Sequence, residues 1–316
     1  MQKTKNIIFL AVISIGLFGG VSFISAATLE VGTGRTYSTI QAAVNASVAG
    51  DTVLVYPGTY NENVLIPDGK QGTATSPIII KAQYPARKPL DGGAWADTAD
   101  KRSVVNAGSG VAGFYNDDYS NVVSNIIIDG FYITGGGAPD AGVASGGIYF
   151  QNDNNIWIRN NVILDTNPYA SLISNGERTG NIHLMFTRDS LIQNNYLENT
   201  YAKSYARSAF LINVNGGNGG VNNIAEYNEG YIGSGAAEGS FAYIHYGANN
   251  TIYRYNYILS ENSQAVSLYA RFRDSLNFVI TNNYIHSTAQ QGAWIIHENT
   301  ESGAVEQHII NNNTLV

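Results

Sequence analysis

The chain has 316 residues, 13% of them charged, and a formal net charge of −7 at neutral pH. That balance argues against a nucleic-acid partner, which would call for a basic face, and the absence of cysteine rules out a disulfide framework. A protein rich in glycine (34) and tyrosine (21) has to draw its stability from its core, and a chain this long can bury one.

Residues 1–27 have the pattern of a secretory signal peptide. Lys3 and Lys5 give a basic start, residues 7–24 are apolar, and Ser25-Ala26-Ala27 is a small-residue cleavage site. The alternative is an uncleaved anchor, since the apolar run is at the lower limit for a membrane span. Gly16, Gly19 and Gly20 favour cleavage, which leaves residues 28–316 as a secreted or cell-surface domain with no membrane contact of its own.

Tyr37-Ser38-Thr39-Ile40-Gln41-Ala42-Ala43-Val44-Asn45 predicts a short helix with Ser38 as N-cap and Ile40, Ala43 and Val44 on one face. Such a helix would cover the open end of a stack of strands. Thr52-Val53-Leu54-Val55-Tyr56 reads as a strand, Pro57-Gly58-Thr59-Tyr60 as a turn, and Asn63-Val64-Leu65-Ile66 and Ile78-Ile79-Ile80 as further strands. The charged, proline-containing residues 84–102 read as a loop. Asp117-Asp118 can contribute to a Ca²⁺ site, or be an ordinary solvated pair in a turn.

From residue 126 onward one pattern recurs. Asn155-Ile156-Trp157-Ile158-Arg159-Asn160-Asn161-Val162-Ile163 returns around Asn195, Asn228, Asn256, Asn283 and Asn313, at steps of 34, 33, 28, 27 and 30 residues. A degenerate earlier copy carries Phe131 at the anchor position. Each copy alternates apolar and variable residues, the period of a strand buried on one face. Strands at this spacing, separated by Gly and Asn turns without helical periodicity, predict the coils of a parallel β-helix. The anchor asparagine fits a coil corner, where its amide can bond the coils above and below and where it tolerates left-handed backbone.

Residues 37–66, with Ile-Gln-Ala-Ala-Val, Gly-Asp-Thr-Val and Pro-Gly-Thr-Tyr elements, resemble the first coil of the secreted right-handed β-helix proteins of the pectate-lyase-like superfamily. The resemblance spans residues 28–316 and implies an all-β, right-handed parallel β-helix with a short N-terminal capping helix. It is weak for activity, because that superfamily holds lyases, hydrolases, epimerases and adhesins. The Asn-Thr-Asp and Gly-His-Gly elements of polygalacturonase-like hydrolases are absent. His245-Tyr246-Gly247 loosely resembles an Arg-His-Gly element of the alginate lyase and chondroitinase B family, but Asn213-Val214-Asn215 offers no lysine in the preceding coil.

Two outward columns can be traced. One lies two residues before each anchor and pairs Asp129 with Arg159 and Glu226 with Arg254, as cross-coil ion pairs. The other lies on the strand preceding each anchor. With Ala242, Ile244, Leu268, Ala270, Trp294 and Ile296 inward, the residues Asn213, His245, Arg271 and His297 form an outward ribbon framed by Tyr243 and Tyr269. Such a ribbon suits β-elimination on an acidic polysaccharide: His245 or His297 as base, Arg271 neutralising the uronate carboxylate, and Tyr269 or Tyr243 as acid. Asn213, Lys203 and Arg207 would add substrate contacts, and Ca²⁺ is a candidate cofactor. The alternative is a non-catalytic glycan-binding or structural surface protein. Asn311-Asn312-Asn313-Thr314-Leu315-Val316 stops inside a repeat, which reads as a domain truncated at its C-terminal end.

Overall fold

The computed structural model describes residues 26–86, 99–116, 120–136, 145–166, 179–200, 211–217, 220–233, 240–245, 247–261, 264–271, 275–288, 295–300, 305–306 and 309–316. Wherever the sequence alternates apolar and variable residues, strands form and turn their apolar side inward, as in Ile156 and Ile158 of Asn154–Arg159. Nearly all described strands join three parallel sheets of ten, eight and nine members, each taking about every third strand of the chain in order, and Ser275–Leu276 pairs separately with Val305–Glu306. That sequence of pairings makes a parallel β-solenoid. One continuous apolar core runs inside it from Leu29 to Ile285.

The ten-stranded sheet starts at Thr28–Val31 and ends at Ile309–Asn311. The nine-stranded sheet runs from Gly58–Tyr60 to Thr314–Leu315, and the eight-stranded sheet from Val64–Leu65 to Ile295–Thr300. Among the described residues the one α-helix is Ile40–Ala46, with Ile40, Ala43 and Val44 buried as expected. Its N-cap is Thr39 rather than Ser38, because Thr39 has the extended backbone and accepts from the Ala42 amide at 3.3 Å. The Glu62 carboxylate also accepts from the Ile40 and Gln41 amides, at 2.9 Å each. Gln41 completes the cap. Its amide bonds both the N–H and the carbonyl of Leu65, at 2.7 and 2.8 Å, and so stands in for a missing neighbour of the end strand.

The recurring asparagine builds a buried ladder. Asn195 Nδ2 donates to the Ile158 carbonyl (2.9 Å) and to Asn228 Oδ1 (3.0 Å). Its own Oδ1 accepts from the backbone and side-chain nitrogens of Asn161, at 3.0 and 3.1 Å. The same set recurs at Asn228, Asn256 and Asn283. In the degenerate copy the Phe131 amide donates to Asn161, and its ring packs 4.9 Å from that of Phe114. The left-handed residue is not the anchor, as expected, but the one before it: Asn160, Asn194, Asn282 and Asn312 all have φ between 52° and 56°. That division of labour explains the Asn-Asn doublet: the first residue makes the turn and the second makes the ladder. A second asparagine corner, unseen in the sequence, links Asp189, Asn222, Asn250 and Asn277 side chain to side chain, again at positive φ.

Candidate functional site

On the eight-stranded sheet, Ile148, Phe150, Ile182, Leu184, Ile212 and Val214 face the core. Their alternating neighbours therefore lie on the outer face. Strand register sets Tyr115, Tyr149, His183 and Asn213 side by side in one outer row. The rings of Tyr149 and His183 are 5.2 Å apart at 43°. Two residues further along, Gln151, Met185 and Asn215 form a second row. Tyr149 Oη bonds Gln151 Oε1 and approaches the Met185 sulfur at 3.6 Å. Asp153 fixes the strand end by accepting from the Val123 and Gln151 amides, at 2.7 and 3.2 Å.

Part of this outer face is closed to solvent. Tyr149, His183 and Asn213 are at most 1% exposed. A phenol, an imidazole and carboxamides held together away from water make a polar layer in which hydrogen bonds are strong and an unpaired group would be costly. The sequence reasoning passed over this strand, Thr179–Met185. Its signal was available: the 34-residue step from Asn161 to Asn195 also carries Tyr149 onto His183.

Backbone register continues both rows into the strands that carry the expected site residues. Asn213 is level with Tyr243 and then Ser267, and Asn215 with His245, Tyr269 and Glu298. His245 and Tyr269 are therefore neighbours, one strand spacing apart, and Arg271 lies two residues beyond, level with Thr300. By backbone register, Asn213, His245, Arg271 and His297 are not level with one another. Asn213, His245 and Arg271 occupy three levels of that register, each two residues beyond the last. His297 is level with Leu268 and Ile244, in the row of the buried Leu184 and Val214. Ile295, not Ile296, is level with Val266. Ile296, expected inward, is level with Ser267, Tyr243 and Asn213 instead. Lys203, Arg207, Trp294 and Asp117-Asp118 lie outside the described residues, as do residues 1–25 of the signal segment.

The column two residues before each anchor behaves as expected. Arg159 Nε lies 2.9 Å from Asp129, and Arg254 lies 2.7 Å from Glu226, whose other oxygen accepts from Gln193 at 2.8 Å. These contacts tie successive strands of the ten-stranded sheet and leave little free charge there. Among the described residues no group of three or more His, Asp or Glu side chains is placed to hold a metal ion, and no helix is long and apolar enough to cross a membrane. Ca²⁺ therefore has no described ligand set to which a step could be assigned.

No protein-family model matches the chain, and no curated protein matches it. Solved structures do. An alginate lyase from Paenibacillus sp. shares 16% identity over 92% of this chain and 98% of its own, with a TM-score of 0.47. A pectin methylesterase from Aspergillus niger shares 12% over 91% and 85%, at 0.44, and the pectate lyase Pel9A 12% over 92% and 79%, at 0.45. The likeness is one of backbone fold. The parallel β-solenoid itself rests on the chain's own strand pairings.

Proposed function

We propose that this chain is a secreted or cell-surface protein acting on an acidic polysaccharide along the outer face of the eight-stranded sheet, by β-elimination. One observation carries the reading: a histidine and a tyrosine are register neighbours twice on that sheet. Tyr149 and His183 form the buried pair, and His245 lies level with Tyr269, with Arg271 two residues on. In this reading the buried pair and Asn213 hold the sheet in register, and the second pair does chemistry. Arg271 binds the uronate carboxylate as a planar fork and lowers the barrier to enolate formation. His245 takes the proton from C5, the electron pair forms the C4–C5 double bond, and the C4–O bond breaks. Tyr269 gives its proton to the departing oxygen. Tyr243, Lys203 and Arg207 are proposed to contact flanking sugars. His297, in the other register row, has no part in this scheme.

The purified protein should be assayed on pectate, alginate and glycosaminoglycans, with and without Ca²⁺, following absorbance of the unsaturated product. His245→Ala should lower the rate by at least about a hundredfold, the usual worth of a positioned base. Absence of unsaturated product on every substrate, from a folded chain, would rule out the elimination. The burial of His183 and Asn213 favours a second reading, in which the face is a packed layer and the protein binds glycan without cleaving it. Retention of a polysaccharide without product would select that reading.

A further inference from the structure

The corner between the ten- and nine-stranded sheets carries an anomaly that neither sheet requires. In the other turns that carry the ladder its left-handed position holds asparagine, as in Asn160, Asn194 and Asn282, and in the degenerate turn it holds Gly130. In two successive turns it holds Tyr227 and Tyr255 instead, at φ of 55° and 56°. A Cβ-bearing aromatic residue is strained in that backbone region, where asparagine and glycine are tolerated. Burial does not offset the strain, since Tyr227 and Tyr255 are 38% and 44% exposed. Their rings stack at 5.1 Å and 7°. Just past the ladder asparagines, Tyr257, 39% exposed, stacks on Tyr284 at 5.0 Å and 3°. Four tyrosines thus project from three consecutive turns, in two rows that run along the solenoid axis.

The geometry points to this corner as a second carbohydrate-binding surface, one that takes an uncharged pyranose chain lying along the axis. Tyrosine offers an apolar ring to sugar C–H groups and a hydroxyl to sugar hydroxyls, with little side-chain entropy lost on binding. Strand register places Asn194 in the turn before Tyr227 and Asn282 in the turn after Tyr255, short amides that can bond further hydroxyls. The corner's cation, Arg254, is held 2.7 Å from Glu226, with its guanidinium 5.9 Å from the Tyr255 ring centroid. That pairing leaves Arg254 little free charge to attract a uronate, and the register neighbour of Tyr257 is the acidic Glu229, so the complementary partner is uncharged. A backbone strained to display exposed rings is the expected mark of a ligand-contact surface. The inference stands whether or not the eight-stranded sheet is catalytic.

The test is native-gel retardation and calorimetry of the full chain with a neutral β-linked glucan and its hexasaccharide, against polygalacturonate as the charged control. The neutral glucan should retard the wild type. The double variant Tyr227→Asn, Tyr255→Asn, which restores the residue used in the other turns, should keep or raise Tm and weaken glucan binding by about tenfold or more, the scale of losing two aromatic contacts. No retardation by the neutral glucan, or equal retardation of the double variant, overturns the inference. Should the double variant melt below the wild type, the single variants decide. Each breaks the stack but keeps one ring, and wild-type binding by both would assign the tyrosines to the fold alone. Polygalacturonate binding that ignores these substitutions would belong to the eight-stranded face.

Discussion

Asn195 shows how much one side chain does in this fold. It is 1% exposed, and its amide serves two chain segments, bonding the Ile158 carbonyl and the Asn161 amide as well as its ladder neighbours. Asn195→Ala would leave a buried N–H and a buried carbonyl without partners. At about 1–3 kcal/mol for each such group, we expect a loss of about 3 kcal/mol by denaturant titration. An effect below about 1 kcal/mol would mean that water or a shifted turn replaces the amide. Tyr253 makes the opposite case. Its ring is buried in the core on the inner face of the ten-stranded sheet, and its hydroxyl has no hydrogen-bond partner among the described residues. Tyr253→Phe removes that orphaned group without opening a cavity, and should stabilise the protein by about 1 kcal/mol.

At the scale of the element, the sheets differ in what their outer faces hold. The ten-stranded sheet carries paired charges, the eight-stranded sheet a buried polar layer, and the nine-stranded sheet a band of tyrosines and glutamates. In that band Tyr196 is held in its neutral form, first by burial and then by its hydrogen bond to Glu198, so its pKa lies well above the usual 10.0. Burial does the same to Tyr253. A phenol raised in the folded state keeps a proton that the unfolded chain releases first. The associated stability is therefore complete below pH 10 and declines as pH rises from 10 toward the folded value. Thermal melts should accordingly be flat across neutral pH with respect to these groups and fall above pH 10, and Tyr196→Phe should make the alkaline fall shallower. An unchanged alkaline slope in that variant would place the titrating group elsewhere. Register belongs to this scale too. On the strand Ile295–Thr300, alternation predicts Ile296 inward, but its pairing with Ser267 sets it level with Asn213 instead.

For the whole molecule, the solenoid and its internal ladder were legible from the sequence. A repeat anchored on Asn161, Asn195, Asn228, Asn256, Asn283 and Asn313 imposes the same local bonds in every turn, so period, strand and ladder follow from nearest neighbours. The helix with buried Ile40, Ala43 and Val44, and the ion pairs of Arg159 and Arg254, could be read the same way, because each depends on spacing within one or two turns. What only the tertiary structure decided was the alignment of strands whose connections vary in length. The neighbouring of His245 with Tyr269, the transfer of His297 to the core-facing row, and the burial of His183 beside Tyr149 all depend on how many residues each turn takes up. The stacking of Tyr227 on Tyr255 was likewise hidden, since both stand where the repeat otherwise places asparagine. Local hydrogen bonding is written into each repeat, whereas the phase between repeats is set by their connections, and the candidate chemistry of this protein depends on that phase.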